Sequence, residues 1–167
     1  KNFTCIRFLD QNKERFELEF NLEKGTSFNT FLIKSNEELF IIHPPEKQHL
    51  NEFKKVISYF FDRFKLREIK VISGHINPQI IETIKNISTE YQNLTITCSN
   101  PGFKLISELW KQKNPNLQNF TEIRLPKINV IKKELNLELD NISLDLIPIP
   151  TARWPGGLII YEQNKEI

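Results

Sequence analysis

Three short segments carry the residue types that could do chemistry. They are Ile42-His43-Pro44-Pro45, Ser73-Gly74-His75-Ile76-Asn77-Pro78-Gln79 and Pro150-Thr151-Ala152-Arg153-Trp154-Pro155-Gly156-Gly157. An imidazole can ligate a metal or carry a proton near neutral pH. His43 and His75 could hold one metal between them if their loops meet, but two histidines alone make a weak site. Arg153 could clamp an anion; its guanidinium is always charged and offers no lone pair to a cation. Cys5 and Cys98 form no metal spacing and are too few for a disulfide framework. They read as two small buried residues in a reducing cytoplasm.

The rest of the composition excludes several classes. A length of 167 residues suggests one domain. Hydrophobic residues make up 39% and charged residues 26%, enough for a packed core. The net charge of +2 argues against a strongly basic nucleic-acid binder. The apolar runs are far shorter than the ~20 residues of a membrane span. There is no signal-peptide core, and the expected location is cytoplasmic. The chain opens on Lys1 and contains no Met, so it reads as a processed or partial product with provisional ends. Asn2, Asn86, Asn93, Asn119 and Asn141 fit the glycosylation pattern, which an Asn-rich chain meets by chance.

The elements that must position the three segments follow from periodicity. Phe3 to Leu9 and Arg15 to Leu22 read as strands, the second with Phe16, Leu18, Phe20 and Leu22 alternating with polar residues. Ser27 to Ile33 and Glu38 to Ile42 continue an antiparallel meander. Leu50, Phe53, Val56, Ile57, Phe60, Phe61 and Phe64 mark one face of a helix from about Glu46 to Phe64. Ile69 to Ile72 is a short buried strand. Pro78 suits the first turn of a helix with Ile80, Ile81, Ile84 and Ile87 inside. Leu94 to Cys98 is a strand. Asn100 is the expected N-cap of a helix with Pro101 at its first position and Phe103, Ile106, Leu109 and Trp110 buried. Phe120 to Leu125, Ile128 to Lys132, Glu134 to Leu139 and Ile142 to Ile147 read as strands. Asp140-Asn141 is the turn of the last hairpin, both residues tolerating positive φ. Lys132-Lys133 is expected to be solvated. The whole is a layered α/β arrangement, and in such sheets ligands bind where loops leave the strand ends.

Four segments occur in an order and spacing that carry a resemblance. They are Gly25-Thr26-Ser27-Phe28-Asn29-Thr30-Phe31-Leu32-Ile33, Gly74-His75-Ile76-Asn77-Pro78-Gln79, Cys98-Ser99-Asn100-Pro101-Gly102, and Ile149-Pro150-Thr151-Ala152-Arg153-Trp154-Pro155-Gly156-Gly157-Leu158. Together they resemble the metallo-β-lactamase-like domain of flavodiiron proteins, and most of all the divergent diflavin flavoproteins of cyanobacteria. The resemblance implies an αββα sandwich, of which this chain would supply about the first two-thirds. It implies a di-iron site, FMN on a flavodoxin-like domain beyond Ile167, and oxygen or nitric oxide reduction. It also implies a homo- or hetero-oligomer with a flavodiiron-type subunit.

The family's ligand loop reads His-X-Glu-X-Asp. Here it reads His75-Ile76-Asn77-Pro78-Gln79, so only the histidine matches. A later ligand histidine, before a Trp-Pro pair, falls on Arg153, and a strand-end acidic residue falls on His43. Two negative charges are lost and one positive charge is gained. A unit-charge pair ~4 Å apart is worth roughly 4 kcal/mol at an effective dielectric of ~20. Neutral amides are poor ligands for iron or zinc. The sequence therefore predicts a degenerate pocket of His75, Asn77, Gln79 and Arg153 without the ordinary di-iron site, with no catalytic residue assigned. Arg153 is expected to fill the vacated position and bond to Asn77 or Gln79, with Trp154 and Pro155 packed under the loop. Two alternatives stand beside this reading. One is a metal-dependent hydrolase, which would need a His-X-His-X-Asp-His loop. The other is a non-catalytic anion-binding or interaction module built on Arg153.

Overall fold

The computed structural model describes residues 3–12, 15–16, 19–20, 23–111 and 124–163. In chain order the elements are β1 (Phe3–Asp10), β2 (Arg15–Phe16), β3 (Glu19–Phe20), β4 (Thr26–Ser35) and β5 (Glu38–Ile42). A 3-10 turn (Lys47–His49) leads into α1 (Leu50–Phe64). Then come β6 (Glu68–Ile72), α2 (Pro78–Glu90), β7 (Leu94–Ser99), α3 (Asn100–Lys111), β8 (Lys127–Ile131), β9 (Leu135–Leu139), β10 (Ile142–Pro148) and β11 (Leu158–Glu162).

One six-stranded sheet runs in the order β1-β4-β5-β6-β7-β8. The β1–β4 and β4–β5 pairs are antiparallel, and β5 through β8 are parallel. The inner strands β4, β5 and β6 bury apolar residues on both faces, as a sheet covered on two sides requires, whereas β7 turns Leu94, Ile96 and Cys98 to the helices and Thr95, Thr97 and Ser99 to the other face. Residues of one parity, such as Leu32, Leu39, Ile41, Ile69, Val71 and Ile96, pack with α1, α2 and α3. Residues of the other parity, Ile33, Phe40, Ile42 and Ile72, pack with Leu139, Ile142, Leu144, Leu146 and Leu158 of the three-stranded antiparallel sheet β11-β10-β9. The described residues thus build three layers: helices, a mixed sheet and a second sheet. This is the layered α/β class read from the sequence.

The helices bury the stripes that their spacing marks. Leu50, Phe53, Ile57 and Phe60 of α1 are buried, and Lys65 in the left-handed conformation ends the helix. Ile80, Ile81, Ile84 and Ile87 of α2 are buried. Burying one such side chain contributes roughly 1.5–3 kcal/mol.

Several expectations need correction. Arg15 to Leu22 is not one strand: Arg15 pairs with Phe20 and Phe16 with Glu19, so the chain folds back on itself and β1 pairs directly with β4. The first turn before α1 is 3-10, not α-helical. The Ser99 side chain, not Asn100, accepts the first free N–H of α3, from Gly102. Phe103 is exposed rather than buried. Cys5 is exposed and only Cys98 is buried. Of the strand expected over Phe120 to Leu125, residues 120–123 lie outside the described residues, and Arg124 and Leu125 belong to no strand. In the hairpin turn only Asp140 has positive φ, with Leu139 paired to Ile142.

Candidate functional site

The parallel strands β5, β6 and β7 deliver their following loops to one edge of the sheet. The ladder continues one step into those loops, since His43 N–H donates to the Ile72 carbonyl at 3.1 Å and Ser73 N–H to the Thr97 carbonyl at 3.0 Å. This places His43, the segment Ser73 to Asn77, and Ser99 side by side.

His43 adopts a left-handed backbone, φ +54°. The buried Thr30 hydroxyl donates to its carbonyl at 2.7 Å and pins that conformation. Its ring lies against Gly74, where an added Cβ would stand 3.0 Å from His43 Cε1 and 2.3 Å from the Leu158 carbonyl. Glycine is the residue that lets the β6 loop, the His43 ring and the start of β11 approach this closely. His43 Nδ1 is buried with no hydrogen-bond partner. Burial, and then the neighbouring His75, push the His43 pKa down to about 4, so the ring is neutral at pH 7.

The His75 carbonyl accepts from the Ser73 hydroxyl at 2.9 Å, which folds the loop back on itself. The His75 ring meets the Trp154 ring edge-on, with centroids 6.2 Å apart. Asn77 is the N-cap of α2: its side-chain oxygen accepts from Ile80 N–H at 2.9 Å. Its amide nitrogen lies 3.4 Å from Glu46 Oε1 and 3.4 Å from His75 Nε2. Gln79 is exposed on the first turn of α2. Arg153 is exposed, with its guanidinium 4.9 Å from the centre of the Trp154 ring. Trp154 is 42% exposed and does not pack beneath the loop as expected.

The segment from Ile149 to Gly157 is a closed loop. Ile149 N–H donates to the Gly157 carbonyl, Gly157 N–H to the Trp154 carbonyl, and Trp154 N–H to the Thr151 hydroxyl, at 3.0, 2.9 and 3.0 Å. The buried Ser99 hydroxyl ties it down by donating to the Gly156 carbonyl at 3.0 Å. Gly156 and Gly102 touch there; a Cβ on Gly156 would lie 3.2 Å from Gly102 Cα.

The structure therefore gathers His43, His75, Asn77 and the Arg153-Trp154 pair at one edge, with Gln79 on the outer side of α2. Among the described residues no three His, Cys, Asp or Glu side chains come together as a metal site would require. Sequence reasoning passed over three residues that shape this region. Thr30 and Ser99 act through single hydroxyl bonds that no pattern marks. Glu162 is buried at 2% exposure, and its parity with Leu158 on β11 was the available signal. No helix among the described residues is long and apolar enough to cross a membrane.

Comparison with known proteins bears on what this site is. No family model matches the chain. A putative diflavin flavoprotein A 6 from Nostoc is 32% identical over 168 residues, spanning 99% of this chain and 27% of that protein. A putative diflavin flavoprotein A 3 from Synechocystis is 30% identical over 166 residues, spanning 98% of this chain and 26% of that protein. The chain thus spans about a quarter of the curated relatives it matches. The metal-soaked Flv1 flavodiiron core from Synechocystis superimposes with a TM-score of 0.76 at 29% identity, over 96% of this chain and 37% of that one. Residues 1–254 of a diflavin flavoprotein A 5 from Nostoc do so with a TM-score of 0.76 at 27% identity, over 96% and 59%. The likeness runs through the whole chain, in sequence and in backbone, and covers every loop described above. The chain is a divergent metallo-β-lactamase-like domain of the flavodiiron kind, related to the diflavin flavoproteins of cyanobacteria.

Proposed function

We propose that this chain is part of a larger flavoprotein working in electron transfer to oxygen, and that its own pocket does not hold the iron pair. The supporting observation is the use made of Asn77. It stands where the family motif has a glutamate, and its amide oxygen is committed to Ile80 N–H as the cap of α2. The remaining groups are the imidazoles of His75 and His43, an exposed Gln79 and an exposed Arg153 that has no lone pair to give, with no carboxylate ligand among the motif positions, a set that does not suit two divalent cations. The role left to the domain is scaffolding. In the intact protein a flavodoxin-like domain would bring FMN, and a flavodiiron-type partner subunit that keeps its ligands would reduce the oxygen.

The test is metal analysis of the chain purified from iron-supplemented medium. The expected result is less than one tightly bound iron per chain. Two tightly bound irons per chain would overturn the proposal.

A further inference from the structure

The two sheets do not close against each other on the β8 side. A groove of about 480 Å³ opens there. Its floor is the inner face of the large sheet, where Phe40 pairs in register with Lys70 and Thr97 with Asn129. Its roof is Leu135 and Leu137 of β9 with Leu146 of β10. One row of the sheet reads Ile42, Ile72, Thr97, Asn129 from β5 to β8, so the inner face turns from apolar to polar where the groove begins. Thr97 and Asn129 commit no side-chain hydrogen bond to the described residues. Water at a sheet edge would account for those two, but not for Leu135, which lines the same groove and is 47% exposed.

The charges of the lining select the ligand. Lys132 and Lys133 both line the groove although they are neighbours in sequence. In a continuing strand they would point to opposite faces. A bend at Lys133 brings both to one side. Both are exposed, and neither forms an ion pair with the described residues. Lys70 and Glu38 are already paired at 3.3 Å, with Glu68 2.6 Å from the same ammonium. The one further charge in the lining is Glu134, so one positive charge is left over. The complement is a monoanion. The volume falls in the ~300–1,000 Å³ range of small-molecule sites, far more than a bare ion fills. Packed sheets stand ~10 Å apart, so the space between them suits a flat ring, with Phe40, Leu137 and Leu146 as its apolar walls. We propose that this groove binds a small aromatic carboxylate, its ring between the sheets, its carboxylate held by Lys132 and Lys133, and a polar ring atom bonded to Thr97 or Asn129. The site uses none of His43, His75 or Arg153 and does not depend on the flavodiiron reading.

The experiment uses the full chain labelled with 15N. Indole-3-acetate, whose ring N–H can donate, is titrated while the Asn129 side-chain amide and the backbone amides of Lys132 and Leu137 are followed. The expected result is a saturable shift of all three. The uncharged 3-methylindole binds about threefold or more weakly, and the cationic tryptamine more weakly still. Lys132→Gln combined with Lys133→Gln leaves the fold intact, because both side chains are exposed and unpaired, and weakens indole-3-acetate by a similar factor. Asn129→Phe fills the floor and abolishes the shift. The proposal is overturned by no saturable shift, by equal affinity for tryptamine, or by unchanged affinity in the double lysine variant. Shifts confined to Arg153 and Trp154 also overturn it, since they place the anion on the other loop. If Asn129→Phe fails to fold, the double lysine variant decides.

Discussion

The Ser99 hydroxyl donates to the Gly156 carbonyl at 3.0 Å and accepts from Gly102 N–H at 3.2 Å. One buried oxygen thus caps α3 and fastens the loop that carries Arg153 and Trp154. Ser99→Ala leaves the Gly156 carbonyl and the Gly102 N–H without this partner. The expected loss of stability is about 1–3 kcal/mol in urea unfolding. Amide exchange in the loop from Ile149 to Gly157 should rise more than in β6. Equal exchange in wild type and variant would show that the hydroxyl does not hold the loop.

Gly74 is fixed by space rather than by backbone angle. Its Cβ position lies 2.3 Å from a main-chain carbonyl oxygen, that of Leu158, which cannot swing aside. Gly102 is also crowded, but its nearest neighbour is the tip of the Ile76 side chain at 2.8 Å. Gly74→Ala should therefore cost more than Gly102→Ala, with about 3 kcal/mol or more expected for the first. Thermal melts of the two variants check the order.

Acid should weaken the fold through His43. Its folded pKa is lowered from 6.5 to about 4, chiefly by burial. Between those values the unfolded chain binds the proton and the folded chain does not. The stability of the neutral ring is thus fully present above about pH 6.5 and is lost as the pH falls toward about 4. At 1.36 kcal/mol per unit the loss is on the order of 3 kcal/mol. His43→Asn tolerates the left-handed backbone and removes the proton site. Its stability should be flatter than that of wild type from pH 6.5 down to about 4, measured by urea titration at each pH.

The two thiols should separate in reactivity. Burial pushes the Cys98 thiol up to about 12, whereas Cys5 is exposed on β1. Since the thiolate is the nucleophile, a maleimide at pH 8 should label Cys5 and leave Cys98 unmodified until the chain is denatured. Peptide mass mapping after a short pulse reads this directly.

Much of the architecture was legible because local signals agreed with the tertiary ones. Pro78 announced the first turn of α2, while the capping role of Asn77 went unread, and Glu38 to Ile42 appeared with the bounds the structure shows. Alternation misled over Arg15 to Leu22, because a period of two does not reveal where a chain doubles back; the pairing of Phe16 with Glu19 decides that. Phe103 fits the helical stripe by spacing yet is exposed, since apolar residues are not confined to cores. The site was legible as three loops meeting at the strand ends. The state of His43 was not, because it depends on Thr30 and Gly74, which lie far from it in sequence order or carry no side chain to signal contact.

The β9–β10 ribbon closes through two residues, Asp140 and Asn141, whereas β7 meets β8 across a gap in which Ile96 pairs with Ile128. Contacts close in sequence form in about 1–10 μs, and distant parallel pairings wait on chain diffusion. The second layer should therefore assemble as a ready-made flap while the large sheet is still being ordered. The docking of Leu144 and Leu146 onto Ile33 and Ile72 would then be a late event that joins two separately nucleated halves.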